Sequence, residues 1–321
     1  MPLEGDQPID FRDSFRNARC LVTGGAGFIG SNLVRHLLDA AARVTVVDNF
    51  STGRREHLPA HPQLVVVEDD LCRSTGLARY VADADYVFHL AAQVGNIKSI
   101  ASPVADADTN ILATVRLLDA CRGASIRRLV YSSSSAIFGE AERLPIDEEH
   151  SLQPRSFYAV SKLTGERYVR LAADLLAVPT VCLRYFNVYG LPMEMNDYTG
   201  VISIFLRRLE AGDTLTIYGD GEQLRDFIYV DDVVQANLRA AASGPPGGIY
   251  NIGTGVGTTV RELAAVLMTL TGRHVAVEHA DFRAGEVRRS LADPGRARRE
   301  LGFEPQFDIR RGLARMLGVE L

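Results

Sequence analysis

Cys20-Leu21-Val22-Thr23-Gly24-Gly25-Ala26-Gly27-Phe28-Ile29-Gly30 is the stretch that decides the fold. An apolar run ends on three spaced glycines, Gly24, Gly27 and Gly30, and the amphipathic segment Ser31 to Leu38 follows. A strand that turns this sharply into a helix leaves the first helical amides facing a pyrophosphate, so the pattern implies a dinucleotide site that includes Phe28 and Ile29. A second apolar run, Arg43 to Val47, ends on Asp48 with Asn49 beside it. An acid about 20 residues beyond the glycines grips a ribose 2′-hydroxyl and repels a 2′-phosphate, which favours NAD over NADP. Arg54 and Arg55 lie a few residues further on and keep NADP open.

Further apolar runs, Gln63 to Glu68, Ala84 to Leu90, Arg127 to Ser132 and Pro179 to Arg184, alternate with segments long enough for crossover helices. Continuous runs such as Leu64-Val65-Val66-Val67 suit strands covered on both faces. The expectation is an α/β fold: a Rossmann-type doubly wound parallel sheet whose ligands collect at the carboxyl ends of the strands. After Arg184 prolines and glycines break the pattern, and a smaller, irregular C-terminal substrate domain is expected to fold over the sheet. We place the dinucleotide domain at 1–183, with a returning segment near 226–253, and the substrate domain mainly at 184–321, interleaved with it.

With 321 residues the chain can bury a large core. The 35 Lys plus Arg against 40 Asp plus Glu give a net charge of -5 with no basic stripe, so no nucleic-acid partner is expected. No apolar stretch reaches membrane-span length, and Met1 to Arg19 carries acids in place of a signal-peptide core. Cys20, Cys72, Cys121 and Cys182 lack C-x-x-C spacing and read as buried small hydrophobes in a reducing cytoplasm. The histidines show no metal-ligand spacing, and no metal is expected.

The chemistry sits after the fifth run. Ser132-Ser133-Ser134-Ser135-Ala136-Ile137-Phe138-Gly139 marks a strand end, and Tyr158-Ala159-Val160-Ser161-Lys162 opens a helix. Tyr158 and Lys162 share a helical face one turn apart. A lysine ammonium near a phenol is expected to lower the phenol's pKa toward working pH, so that Tyr158 exchanges a hydroxyl proton while the cofactor takes a hydride.

These motifs resemble the extended short-chain dehydrogenase/reductases, specifically the nucleotide-sugar 4-epimerases. Besides the stretches above, the likeness rests on Asp70-Leu71, His89-Leu90-Ala91-Ala92, Arg184-Tyr185-Phe186-Asn187-Val188-Tyr189-Gly190, Arg225 to Asp232 and Arg283 to Val287. The resemblance implies that Asp70 and Leu71 hold the adenine, that Leu90, Ala91 and Ala92 border the cofactor, and that Lys162 bonds the nicotinamide ribose. It makes Tyr158 the base and gives Ser134 a share of the reacting hydroxyl. It assigns Asn187, Arg225 and Arg283 to the nucleotide diphosphate, Tyr218 to the neighbourhood of the base, and a structural part to Asp232. Bidentate cations are also what a diphosphate calls for on physical grounds.

Within that family, dehydration and decarboxylation resemble patterns with an acid just after Ser134, where this chain has Ser135 and Ala136. Glucuronate epimerases resemble a pattern with Arg after the Tyr-Gly pair; here Leu191-Pro192-Met193-Glu194 stands, although Arg207 or Arg208 keeps a carboxylate-bearing sugar open. The leading expectation is reversible oxidation at C4 of a UDP-hexose with NAD. Ser290 resembles the family position whose bulk decides whether an N-acetyl group fits, and a serine leaves that space. The helical segments Val104 to Arg122 and Ser156 to Leu176 carry apolar faces that the likeness pairs in a homodimer. A UDP-glucuronate 4-epimerase or another nucleotide-sugar epimerase or dehydratase, a reductase that releases its product, epimerisation at C2 and a non-catalytic dinucleotide sensor stay open on the sequence alone.

Overall fold

The computed structural model describes residues 11–193, 200–282 and 287–320. Its strands are β1 (Arg19–Thr23), β2 (Arg43–Asp48), β3 (Leu64–Glu68), β4 (Tyr86–His89), β5 (Arg128–Ser134), β6 (Thr180–Tyr185), β7 (Asn187–Tyr189), β8 (Leu215–Tyr218), β9 (Leu224–Tyr229), β10 (Gly248–Ile252), β11 (Gly257–Thr259), β12 (Val277–Ala280) and β13 (Arg289–Ser290). The helices are α1 (Phe28–Asp39), α2 (Leu77–Ala82), α3 (Asn96–Ala101), α4 (Pro103–Ala107), α5 (Ala113–Ala120), α6 (Phe157–Leu175), α7 (Val201–Ala211), α8 (Val230–Ser243), α9 (Val260–Thr271), α10 (Gly295–Leu301) and α11 (Ile309–Leu317).

Seven parallel strands form the central sheet in the order β10-β6-β5-β4-β1-β2-β3. The order reverses between β1 and β4, which opens a crevice at their carboxyl ends, where doubly wound sheets bind ligands. Alternate side chains of each strand serve opposite faces. Val22, Val46, Phe88 and Leu183 pack under α1 and α8, while Leu21, Val47, Val87 and Leu129 pack under α2, α5 and α6. Each such side chain taken fully from water contributes roughly 1.5–3 kcal/mol.

The six runs read from the sequence all appear as strands within two residues of their expected ends. One expectation about them is corrected. The Leu64 to Val67 run does not lie under cover on both faces: β3 is the sheet's edge strand and Val65 is 57% exposed. An edge strand has one neighbour and little helix above it, so apolar continuity overstated its burial. Cys72 likewise is half-buried in the turn after this edge, whereas Cys20, Cys121 and Cys182 are buried as expected.

The later part of the chain is more ordered than its broken pattern implied. β7, β9, β11 and β13 make a small sheet, β8 pairs with β12, and α7, α9 and α11 cover a third core that includes Phe205, Leu209, Leu263 and Leu313. Strands of two to six residues give little periodicity to read. Within this later stretch, α8 and β10 return to the large sheet.

Candidate active site

The glycine turn is built against the crevice. Gly24 has φ +69°, and a Cβ there would lie 2.6 Å from the amide nitrogen of Ala91, so only glycine lets the turn rest on the chain leaving β4. Leu90 and Ala91 are thereby brought beside Gly24, although they are distant in sequence, and Ala92 follows them. Gly27 is the N-cap of α1 and no side chain caps that end. The first-turn amides, with Phe28 and Ile29 among them, keep the positive end of the helix dipole open at the crevice. Asp48 is buried at the end of β2, where Oδ2 accepts the amide of Ala26 and Oδ1 that of Phe50, each at 2.9 Å. The acid thus shapes the turn as well as facing it. Asn49 accepts the amide of Ser51 at 3.1 Å. Beyond β3, Asp70 accepts the amide of Cys72 at 2.9 Å and Leu71 is buried. Arg55 stacks on Phe50 and reaches Glu68 at 3.6 Å. A bare helix end, tightly packed glycines and an acid at the second strand fit a dinucleotide with a free ribose hydroxyl.

Ser134 ends β5, and its Oγ accepts the amide of Ala136 at 3.2 Å. Tyr158 and Lys162 stand on one face of α6, a helix started by Ser156, whose Oγ accepts the amide of Ala159 at 3.1 Å. Lys162 is 2% exposed, with Nζ 4.5 Å from the centre of the Tyr131 ring. Burial pushes its pKa down to about 8, against the pull of Asp106 and Glu166. The expected lowering of the Tyr158 pKa is not supplied by the chain's own groups. Burial raises it, Asp106 adds to the rise, and the Ser134 side chain alone opposes them. The physical reason is placement: the ammonium lies over Tyr131, and desolvation of the phenolate outweighs the rest.

Asn110 and Glu166 escaped the sequence reading, which quoted His89 and Arg184 only as members of motifs. Asn110 lies in a π-type turn, Asp108–Leu112, a distortion that often marks a functional site. Its Oδ1 accepts the amide of Gln93, and its Nδ2 donates to Gln93 O, Asp106 Oδ1 and Ser161 Oγ, all at 3.0 Å. Ser161 in turn donates to the carbonyl of Tyr158 at 3.0 Å. Asn110 therefore joins the loop after β4 to the helix that carries Tyr158. His89 is buried between Thr23 Oγ1 (2.7 Å) and Thr114 Oγ1 (3.0 Å), and burial pushes its pKa down to about 3. Thr114 spends its proton on Asn110 O, so the neutral ring carries its hydrogen on Nε2. Glu166 accepts from Ser133 Oγ at 2.7 Å and pairs with Arg184. The signal for Glu166 was available, since it continues the i, i+4 series of Tyr158 and Lys162.

On the substrate side, Asn187 is half-buried in β7, which pairs with β9. Arg225 in β9 donates from Nη1 to the carbonyls of Leu224 and Arg288 at 3.0 and 3.3 Å. Ser290 in β13 is 8% exposed and lies directly opposite Arg225. Tyr218 ends β8 and its carbonyl accepts from Gln223 Nε2. Asp232 is anchored by the amides of Gln306 and Phe307, at 2.8 and 3.2 Å, the geometry of a structural residue. Arg283 and Glu194 fall outside the described residues. Arg208 donates to Thr214 O and Thr216 Oγ1, which turns it to the far end of α7. Among the described residues no group of side chains is arranged to hold a metal ion.

The NAD dependent epimerase/dehydratase family matches residues 20–253. A UDP-glucose 4-epimerase of Mycolicibacterium smegmatis is 38% identical over 306 residues, covering 92% of this chain and 96% of its own length. Of the solved structures, the UDP-N-acetylglucosamine 4-epimerase of Methanobrevibacter ruminantium in complex with UDP-N-acetylmuramic acid superposes with a TM-score of 0.91 at 35% identity, over 94% of this chain and 98% of that one. The Thermus thermophilus UDP-glucose 4-epimerase complex with NAD gives 0.86 at 36% identity, over 94% and 98%.

Proposed function

The chain belongs to the NAD dependent epimerase/dehydratase family, and on that premise we propose that it is an NAD-dependent UDP-sugar 4-epimerase. The observation that carries this reading is the meeting of Ser134 with Tyr158 at the carboxyl end of β5, above a buried Lys162, while the next two places hold Ser135 and Ala136 and no acid. NAD, when bound, supplies reversible hydride chemistry at C4. The turn from Gly24 to Gly30, with Asp48, Asn49, Asp70, Leu71 and Leu90 to Ala92, would hold it, and Lys162 would bond its ribose.

The chain's own groups then divide the remaining work. Tyr158 takes the proton of the C4 hydroxyl and returns it, and Ser134 shares that hydroxyl and holds the phenol's pKa below what burial alone would give. Arg225 and Asn187, with Arg283, hold the diphosphate, and Tyr218 borders the base. A firm hold on the nucleotide combined with few polar groups at the hexose lets the sugar turn over between the two proton transfers. A small buried Ser290 supports acceptance of UDP-N-acetylhexosamines beside UDP-glucose and UDP-galactose.

The chain is proposed to act as a homodimer through α4, the turn Asp108–Leu112 that leads into α5, and α6, where Val104, Leu112, Phe157, Val160, Leu171 and Leu175 are exposed. Cytoplasmic placement is supported by four cysteines that are all free thiols. No helix among the described residues is long and apolar enough to cross a membrane.

The test is to incubate the purified protein with UDP-glucose, UDP-galactose and their N-acetyl counterparts, without added NAD, and follow products by NMR and absorbance at 340 nm. Interconversion at C4 without net change in absorbance is expected, with Tyr158→Phe slower by about 10²–10⁴-fold. Stoichiometric accumulation of an oxidised or dehydrated sugar would overturn the assignment. Ser290→Tyr is expected to lower the acetylated-to-plain ratio of kcat/KM, and an unchanged ratio would remove Ser290 from the specificity argument.

A further inference from the structure

Glu140 belongs to neither half of the site as described, yet it connects them. It follows Ser134 through the tight turn Ser135–Phe138, in which Ile137 and Phe138 are fully buried. At Gly139, with φ +67°, a Cβ would stand 2.1 Å from the carbonyl oxygen of Gln153. The arm from Ser134 to Glu140 is therefore held by packing at each step and has little freedom to swing.

At the end of that arm the carboxylate meets the small sheet. Oε2 accepts the amide of Arg288 at 2.6 Å and Oε1 faces the amide of Arg289 at 3.3 Å. One anion so holds two consecutive backbone donors, and the shorter bond has the length of a charge-assisted contact. The held residues lead straight into Ser290, which sits opposite Arg225. The carbonyl of Arg288 accepts both the amide of Leu224 and Nη1 of Arg225. A carboxylate near a diphosphate pocket is electrostatically unfavourable by itself. The two backbone amides compensate it here, since the Arg288 guanidinium pairs instead with Asp220 and lies 5.2 Å from the Phe282 ring. Beyond Ser290, Ala292 donates its amide to Asp226 at 3.2 Å, and the carbonyl of Leu291 accepts from Ile146 at 2.8 Å. The short strand is pinned along its length, and Glu140 supplies the pin that comes from the arm following Ser134.

We infer that Glu140 is a positioning residue that fixes the distance between Ser134 and the Arg225–Ser290 strand pair, and through that distance sets which sugar fits. The inference rests on the reading of this crevice as a nucleotide-sugar site. It concerns a side chain that touches neither substrate nor cofactor and acts through the backbone of Arg288 and Arg289.

The test compares full-length parent, Glu140→Ala and Glu140→Gln. Amide hydrogen exchange follows residues 287–292, calorimetry follows UDP affinity, and kcat and KM are measured for UDP-glucose and UDP-N-acetylglucosamine. In Glu140→Ala, exchange at Arg288 and Arg289 is expected to rise about tenfold. The kcat/KM ratio between the two sugars is expected to shift by about threefold or more. Glu140→Gln keeps an acceptor oxygen and is expected to recover part of both. Unchanged exchange overturns the inference. So does faster exchange with UDP affinity and the sugar ratio both within about twofold of the parent, which would make the contact purely structural. A uniform loss for both sugars that Glu140→Gln does not relieve overturns it as well. If the parent converts neither sugar, the epimerase reading falls, and exchange together with UDP affinity still decides the placement of Glu140.

Discussion

Glu166 and Arg184 meet at 2.7 Å with only 1% and 3% of their side chains exposed, beneath the strand end that carries Ser134. Glu166 also accepts from Ser133, and Arg184 donates to the carbonyl of Glu148 at 3.0 Å. Two opposite charges out of water are tolerable only as a complete set.

Removing one of them leaves the other buried and unpaired. Glu166→Ala is therefore expected to lower unfolding stability by about 3–5 kcal/mol, read from urea titration. The double change Glu166→Leu with Arg184→Met removes both charges and is expected to cost less than Glu166→Ala alone. A double variant that loses more than the single would show that the pair matters through packing.

Asn110 gives a second prediction. Asn110→Asp keeps an acceptor for the Gln93 amide but cannot donate to Gln93 O or Ser161 Oγ and sets a carboxylate against Asp106. Each buried partner left unsatisfied costs about 1–3 kcal/mol, and a fall in kcat/KM of about tenfold or more is expected, with weaker retention of NAD through purification. Parent-like kinetics in Asn110→Asp would show that the loop after β4 holds its place without this residue.

Lys162 supplies a pH dependence. Its pKa in the fold is about 8, below the usual 10.5, because burial disfavours the ammonium. The unfolded chain thus binds the proton more tightly, and between about pH 8 and 10.5 unfolding takes up a proton. Through this group stability rises with pH across that window, and the burial penalty is present in full below about pH 8. Lys162→Met is expected to raise Tm most below pH 8, with the gain shrinking toward pH 10.5. A Tm difference that is flat from pH 6 to 10 would contradict the placement of the lysine in a desolvated site.

The exposed apolar faces give a fourth. Val104 and Leu175 are each 73% exposed, on helices α4 and α6 that pack on one another. Val104→Glu with Leu175→Glu is expected to convert a two-chain species to a single chain in sedimentation equilibrium, with the far-ultraviolet spectrum retained. A parent that already sediments as one chain at micromolar concentration would end the dimer proposal.

The parts of this molecule that were legible in the chain are those that a short window encodes. Gly24 to Gly30 specifies its turn because the glycines, the preceding strand and the following helix are contiguous. Tyr158 and Lys162 share a face by helical geometry alone. Val65 misled because its neighbours are apolar whether a strand lies inside the sheet or at its edge. The β13 strand, with Ser290, is two residues long and leaves no periodic trace.

The sequence by itself determined the sheet, the glycine turn and the shared helical face of Tyr158 and Lys162, since propensity, periodicity and spacing are local properties of the chain. Only the tertiary structure decided the rest. Chain separation hides that Glu140 holds the strand before Ser290, and that Asn110 ties the loop after β4 to α6. It also hides that Lys162 lies over Tyr131 and leaves Tyr158 with a raised pKa. Contacts between distant segments, and the loss of water around them, are collective outcomes of packing, and desolvation is the term that sets the charge of a buried group.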